Sequence, residues 1–181
     1  IPVGFSIDGN RGIRDPRGMA GQKLGAHIHL VTAASGSVRN LSMVVQRCHL
    51  DIDGYVASPY ASGLACLVED EMDLGVTVVD MGGGTTTVAV FFDGSVVFTD
   101  VVPVGGTHVT NDIARGLSTP IAEAERLKTL HGCATLSPLD DRETLEVPQV
   151  GEEAGAQPNQ VQKSMLIRII QPRLEEIFEM V

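Results

Sequence analysis

The sequence predicts an α/β protein built around a short meander of strands. A β-branched run, residues 76–79, stops at Asp80. The next two apolar runs are joined by Asp93-Gly94, and this dipeptide favours a tight hairpin because both of its positions tolerate a positive φ. On either side of these strands, apolar residues recur with the 3.6-residue period of helices. These observations together indicate a small sheet covered by amphipathic helices.

The turn after Asp80 has the composition of a phosphate-binding loop. It contains three glycines and three threonines in succession: Gly82, Gly83, Gly84, Thr85, Thr86 and Thr87. Glycines let backbone N–H groups approach an anion closely, and threonine hydroxyls can donate to phosphate. Asp80 could hold a water molecule bound to Mg²⁺. An ordinary β-meander with a glycine-rich turn is the alternative, and the composition favours the nucleotide site.

Charge and composition exclude several functional classes. The chain has 181 residues and a formal net charge of −10, so duplex DNA and an anionic membrane surface are unsuitable direct partners. No apolar run reaches the length of a membrane span. The three cysteines contain no C-x-x-C pair, which favours a reducing compartment over a disulfide framework or a zinc site. Because the sequence begins with Ile1 and ends within a helical pattern, we expect an internal fragment of a longer protein.

The first part of the chain predicts alternating strands and helices. In order, we expect strands over 5–8 and 26–31, a helix from Ser37 to Cys48, a strand over 52–57 and a helix from Ser58-Pro59. Serine favours helix starts, and proline is tolerated in the first turn. Small apolar residues of the last helix, at 61, 64, 65 and 68, predict close packing on a sheet, and the acidic run 69–73 is expected to end it.

Two helices are predicted after the meander. The first covers 107–116 and follows Gly105-Gly106, so its N-terminal N–H groups form a natural seat for an anion. The second follows Thr119-Pro120 and closes at Gly132. Glu125 and Lys128, three positions apart, share one face of it. They form either an exposed ion pair, which spacing alone favours, or a hydrogen-bonding pair for a ribose and base.

The last third of the chain predicts one strand, a loop-rich segment and a terminal helix. We expect the strand over 144–147 and the helix over 160–181, kinked at Pro172 because proline removes a backbone hydrogen bond. Three basic residues of this helix form a positively charged cluster in an otherwise acidic chain: Lys163, Arg168 and Arg173. They are a candidate site for an acidic peptide, with a solvated helix face as the commoner alternative.

Several motifs in fixed order resemble one known family. They are FSIDGNRGIRDPRGMAG, VVQRCHLDIDGYVASPYASGLA, DMGGGTT, GLSTPIAEAERLKTLHGCA and RIIQPRLEEIFEMV. Together they span nearly the whole chain and are similar to FtsA, a bacterial cell-division family within the actin-like ATPase superfamily. The resemblance implies an incomplete actin-like ATPase fold of ribonuclease H-like lobes. It also implies a family-specific subdomain at 1–54, a helix of the first lobe at 55–72, the second-lobe core at 73–118, its outer subdomain at 119–165, and a returning helix at 166–181.

The resemblance also implies a site and its ligands. ATP and Mg²⁺ would be the cofactors, with Asp80 near the metal and the γ-phosphate, and 82–86 as the second phosphate loop. Gly105 and Gly106 would lie beside it, and Glu125 and Lys128 would match an adenosine-contacting pair. Arg173 would receive the C-terminal tail of the tubulin-like FtsZ, with Arg168 and Lys163 as weaker extensions. A first phosphate loop, a final adenosine motif and a membrane-binding helix would lie outside this chain.

The expected function is that of an ATP-binding adaptor, at most a slow ATPase, which polymerises and links FtsZ to the cytoplasmic membrane. It would lie on the inner face of the cell membrane at the division septum, and residues 1–54 would contact other divisome proteins. The fragment alone is expected to be inactive. A shape-determining filament protein like MreB and a sugar-kinase-type phosphotransferase of the same superfamily remain alternatives. No general base for the latter is evident in the sequence.

Overall fold

The computed structural model describes residues 1–151 and 159–181, and its elements fall into two units. The first unit comprises 1–80 and 87–100, and the second comprises 81–86 and 101–181. Within the described residues, eight strands form three sheets and six helices accompany them. The α/β class predicted from the sequence is therefore confirmed.

An antiparallel sheet opens the first unit. It contains β1 (Pro2–Ile7), β2 (Asn10–Ile13) and β3 (Leu24–Ile28), in the spatial order β2-β1-β3. The turn between β1 and β2 is Asp8-Gly9, whose φ angles are +50° and +87°. These values suit a two-residue hairpin of the kind predicted at 93–94. Strand β2 was missed because only one of its four residues, Ile13, is apolar, although the same Asp-Gly signal precedes it.

The helices of the first unit are α1 (Ser35–Arg47), α2 (Ser58–Cys66) and α3 (Glu69–Leu74). Helix α1 begins at Ser35, so the expected start at Ser37 was late, and none of its residues is buried. The strand expected over 52–57 was wrong: this segment has neither helical nor strand structure. Its β-branched residues are interrupted by Asp53-Gly54, which disfavours a strand.

A second sheet follows α3 and carries the predicted meander. It consists of β4 (Val76–Met81), β5 (Thr86–Phe92) and β6 (Ser95–Val102), in that spatial order. The hairpin turn at Asp93 and Gly94 has φ values of +53° and +72°, which confirms the predicted positive-φ pair. Its buried face includes Ala89, Phe91 and Val96.

Helix α2 packs on this face through a side other than the predicted one. Its buried residues are Pro59 and Gly63, whereas Leu64 is exposed. The Tyr60 ring stacks on Phe91 with centroids 6.1 Å apart. A Cβ at Gly63 would lie 2.3 Å from Cζ of Phe91, so the missing side chain allows the helix to approach the strand. The acidic run after α2 forms the separate helix α3 rather than a terminal turn, since the chain is extended at Leu67 and Val68.

The second unit contains the remaining helices and a two-stranded sheet. Its elements are α4 (Gly106–Gly116), α5 (Ile121–His131), β7 (Thr144–Val147), β8 (Asn159–Gln162) and α6 (Lys163–Met180). Strands β7 and β8 are antiparallel. The predicted α4, α5 and β7 are confirmed. Residues 160–162 were expected to begin the terminal helix, and this was wrong: they belong to β8, whose sequence, Asn-Gln-Val-Gln, has one apolar residue and therefore gives no strand signal. Pro172 lies inside α6, and the predicted kink there stays a prediction.

One apolar core joins these elements of the second unit. Its fully buried members include Ile113 from α4, Val147 from β7 and Leu166 from α6. Leu127 of α5 packs into the same cluster. Helix α5 buries Ala124 and Leu127. Glu125 and Lys128 each follow one of these residues directly in the sequence, so they lie at the edge of the buried face of the helix. The core therefore fixes the helix that carries the predicted polar pair.

Substitution of Gly63 by alanine tests the contact between α2 and β5. In an open helix, this change stabilises by up to about 1 kcal/mol because alanine has the higher helix propensity. At Gly63 we expect destabilisation of about 1–3 kcal/mol instead, because the new methyl group would overlap the ring of a buried Phe91. Denaturant-induced unfolding of the chain measures the difference.

Gly36→Ala is the matched control, since Gly36 lies in α1 and an added Cβ there has no neighbour within 4 Å. This variant should be as stable as the parent or slightly more stable. Equal effects of the two substitutions would contradict the close packing of α2 on β5.

Candidate functional site

The glycine loop after β4 is closed by backbone hydrogen bonds within the second unit. Gly82 N–H donates to the carbonyl oxygen of Thr85 at 2.9 Å. The loop carbonyls in turn accept from the start of α4: Gly106 N–H donates to Gly82 O at 2.9 Å, and Thr107 N–H donates to Gly83 O at 2.8 Å. The loop and the N-terminus of α4 are therefore joined directly by backbone hydrogen bonds.

Gly105 is required at the point where these two segments meet. A Cβ at this position would lie 2.5 Å from Gly82 O, 2.8 Å from Gly83 O and 2.9 Å from Thr85 N. Real Cβ atoms essentially never approach backbone atoms this closely, so any other residue would separate the loop from the helix. The Gly105-Gly106 pair recognised in the sequence is thus explained by close backbone approach.

The loop keeps backbone donors available. The N–H groups of Gly83 and Gly84 have no hydrogen-bond acceptor among the residues that the structure describes. Thr85 is exposed beside them. Thr86 is fully buried, and its hydroxyl donates to Val104 O at 2.8 Å. The hydroxyl of Thr86 therefore braces the loop, and the expectation that it donates to a phosphate does not fit this geometry.

Helix α4 presents its N-terminus at the same loop. The N–H groups at the start of a helix carry partial positive charge and attract anions. Gly105 N–H is satisfied by the Nδ1 atom of His108 at 3.1 Å, which closes the first turn. A glycine loop with unpaired donors, held against a helix N-terminus, is suited to binding phosphate oxygens.

Glu125 and Lys128 form a hydrogen-bonded network with α4. The Lys128 ammonium lies 2.8 Å from the Glu125 carboxylate and donates to Thr110 Oγ1 at 2.8 Å and to Gly106 O at 3.1 Å. The Thr110 hydroxyl donates to Glu125 Oε2 at 2.5 Å. The hydrogen bond from Lys128 is the largest cause that holds the pKa of Glu125 below its ordinary value, and the hydrogen bond from Thr110 is the second. The structure therefore brings this predicted pair beside the Gly105-Gly106 pair.

Asp80 is the penultimate residue of β4 and belongs to the first unit. Its Oδ2 atom accepts a hydrogen bond from the hydroxyl of Ser62 at 2.7 Å, and Ser62 lies on α2. This role of Ser62 was not predicted from the sequence. The only available signal was a polar residue in a helix of small and apolar residues, and such a residue is commonly a solvated one.

The three basic residues of α6 do not form one patch. They are five positions apart, so successive side chains point about 140° away from each other around the helix. Arg173 donates to Asp112 of α4 at 2.6 Å and also bonds Glu176. Lys163 bonds Glu143 at 2.9 Å and pairs with Asp140 at 3.2 Å, and these two contacts raise its pKa. Arg168 is exposed.

Neither a cluster of metal-ligating side chains nor a membrane-spanning helix is found among the described residues. Among residues 1–151 and 159–181, no group of three or more His, Cys, Asp or Glu side chains is arranged to hold a metal ion. The role of Asp80 towards Mg²⁺ through water stays a prediction. In the same part of the chain, no helix is both long and apolar enough to cross a membrane.

Two family models match the chain. The model described as cell division protein FtsA matches residues 77–179, and the model of the SHS2 domain inserted in FtsA matches residues 1–32. Proteins named cell division protein FtsA are similar over the whole chain: that of Agrobacterium fabrum is 50% identical and that of Escherichia coli K12 is 40% identical. The chain spans 41% and 42% of the lengths of these two relatives.

Solved structures share the fold at low sequence identity. MreB5 of Spiroplasma citri bound to AMPPNP superposes with a TM-score of 0.65 over 82% of this chain and 46% of its own, at 17% identity. The ethanolamine utilization protein EutJ of Carboxydothermus hydrogenoformans gives a TM-score of 0.54 over 82% of this chain and 42% of its own, at 23% identity.

Together, these matches show both the fold and the family of the chain. The fold is actin-like, as the structural likenesses show, and it is incomplete because the chain covers less than half of each neighbour. The MreB likeness is one of fold alone, and the sequence likenesses decide the family. Since the FtsA model matches more than half of the residues, the chain belongs to the FtsA family of cell-division proteins.

Proposed function

We propose that the second unit supplies one half of an ATP-binding site in an actin-like cell-division protein. The single observation that carries this proposal is the close approach of Gly105 to the 82–85 loop. This contact holds the N–H groups of Gly83 and Gly84 in a fixed loop, next to a helix N-terminus. An ordinary β-meander does not require a glycine packed against the backbone of its turn, as Gly105 is here.

The residues of the site fit the parts of a nucleotide. Gly83, Gly84 and Thr85 would bind phosphate oxygens. Glu125 and Lys128 would bind the adenosine, since a carboxylate accepts from hydroxyl groups and an ammonium donates to acceptors. Asp80 would hold a water of Mg²⁺, which when bound neutralises phosphate charge. MreB5 of Spiroplasma citri has been solved bound to ADP and to AMPPNP, which supports nucleotide binding in this fold.

Any hydrolysis would be slow at most. The carboxylates of Asp80 and Glu125 each already accept a hydrogen bond from a neighbouring hydroxyl, Asp80 within the first unit and Glu125 within the second. A nucleotide site of this fold also needs a second lobe. The relatives are more than twice as long as this chain, so we infer that the chain alone is inactive and that binding experiments need the full-length protein that carries it.

At the level of the cell, the proposed role is to polymerise and to link FtsZ filaments to the inner face of the cytoplasmic membrane at the septum. Membership of the FtsA family supports it. In this proposal Arg173, aided by Arg168 and Lys163, receives the acidic tail of FtsZ. Residues 1–54 contact neighbouring subunits and other divisome proteins, and the membrane is bound through a helix outside this chain. The subdomain boundaries at 54, 72, 118 and 165 belong to the same proposal.

Removal of the Lys128 ammonium tests the nucleotide site. We expect Lys128→Ala to weaken the affinity for ATP with Mg²⁺ about tenfold to a hundredfold, because a hydrogen bond from a charged group is lost. Isothermal titration of the full-length protein measures this change. Arg126→Ala is the matched control: Arg126 is exposed on the same helix and pairs with Glu123. If both variants bind ATP as the parent does, Lys128 is outside the site.

The depressed pKa of Glu125 gives a pH dependence with a definite sign. A carboxyl group whose pKa is lower in the folded state stabilises the fold above its unfolded pKa, and this contribution is lost as pH falls through the folded pKa. We therefore expect the stability difference between the parent and Glu125→Gln to be constant near neutral pH and to shrink in acid.

Nuclear magnetic resonance titration of the Glu125 carboxyl carbon measures that pKa directly. Lys128→Met should raise the pKa towards its ordinary value, because the hydrogen bond from Lys128 is the largest cause of the depression. Thr110→Val should raise it less. The assigned network is wrong if Lys128→Met leaves the pKa unchanged.

Charge reversal at Arg173 tests the FtsZ contact. We expect Arg173→Glu to weaken binding of an FtsZ C-terminal tail peptide at least tenfold, because a cation is replaced by an anion in the proposed pocket. The swap Arg173→Asp with Asp112→Arg restores an ion pair between α6 and α4 and should still lose the peptide. Arg126→Glu controls for net charge, and retention of binding by the swapped protein would exclude Arg173 from the contact.

A further inference from the structure

Asp80 is the last inward-facing residue of β4. Side chains alternate between the faces of a strand, so Val76, Val78 and Asp80 share one face. Val76 and Val78 pack against the buried cluster that contains Phe91. Asp80 therefore continues an apolar face, and a carboxylate in this position requires polar partners.

Ser62 is the residue that meets this carboxylate. Its hydroxyl donates to Oδ2 of Asp80 at 2.7 Å, while the described residues provide no donor to Oδ1. The next residue, Gly63, is packed against Phe91 so closely that a methyl group would not fit. The position of Ser62 above the strand is thus set by a tight contact one residue away.

A second polar group lies at the same end of this face. Thr87, Ala89 and Phe91 alternate along β5, and Ala89 and Phe91 belong to the same buried cluster as Val78. Thr87 is 8% exposed, and its hydroxyl is the buried side-chain atom without a hydrogen-bond partner among the described residues. An unpaired buried hydroxyl is unfavourable in a folded protein, so this one calls for a partner such as a bound water or ion.

We propose that Ser62 is a positioning residue that fixes the orientation of Asp80 towards a nucleotide-bound divalent cation, and that the Thr87 hydroxyl serves the same water shell. The inference rests on the proposed nucleotide site. Ser62 engages Oδ2, so Oδ1 remains available to a metal-bound water. Partners that orient a metal-binding carboxylate commonly change metal affinity by ten- to a hundredfold when they are removed.

The Mg²⁺ dependence of nucleotide binding separates this role from a structural one. In the full-length protein, ATP affinity is measured without Mg²⁺ and over a series of Mg²⁺ concentrations. We expect Ser62→Ala to raise the Mg²⁺ concentration for half-maximal enhancement about tenfold, while affinity without Mg²⁺ stays the same. Ser62→Thr, which keeps the hydroxyl, should restore the parent value. A merely structural role would lower the melting temperature and leave the Mg²⁺ dependence unchanged.

Three variants complete the test. Asp80→Asn is the reference and should lose most of the Mg²⁺ enhancement, and adding Ser62→Ala to it should have no further effect. Thr87→Val replaces the hydroxyl by a methyl group of similar size, and we expect a shift in the direction of Ser62→Ala. Ser58→Ala, one helical turn before Ser62 and exposed, should match the parent.

Two negative results have different meanings. If the parent protein binds no ATP at any Mg²⁺ concentration, the proposed function fails and this inference with it. If the parent binds ATP and Asp80→Asn loses the Mg²⁺ enhancement while Ser62→Ala retains it, the nucleotide site stands and the role of Ser62 is overturned.

Discussion

The close approach of Gly105 to the 82–85 loop is the contact on which the proposed site depends. Backbone atoms replace side chains there, since Gly82 and Gly83 carbonyls accept from the first N–H groups of α4. Such a contact is rigid, because it contains no rotatable side chain. It also leaves the outward N–H groups of Gly83 and Gly84 in fixed directions, so a ligand would meet donors that need no rearrangement.

The core of the second unit supports this contact from the other side. Ile113 and Leu127 are buried in one cluster, which fixes α4 and α5 relative to each other. The polar network of Lys128, Thr110 and Glu125 then spans the two helices at their solvent edge. This arrangement keeps the Lys128 ammonium close to the start of α4, with its charge balanced by the Glu125 carboxylate.

The sequence predicted most of the elements whose signal is local. The meander, its Asp93-Gly94 turn, α4 and α5 follow from alternation, turn chemistry and helix periodicity. Strand β8 and the exposed face of α1 were not predictable in this way, because pairing and burial are decided by distant residues. The pairing of Ser62 with Asp80 is of the same kind: eighteen positions separate them, and only the packing of α2 on β5 brings them together.

Helix α1 shows a different consequence of how burial is distributed. None of its thirteen residues is buried, so apolar packing within the described chain contributes little to keeping it helical. Isolated helices of this length are marginal in water. No residue of α1 belongs to the core around Phe91, so we expect its amide hydrogens to exchange with solvent through local opening, without global unfolding.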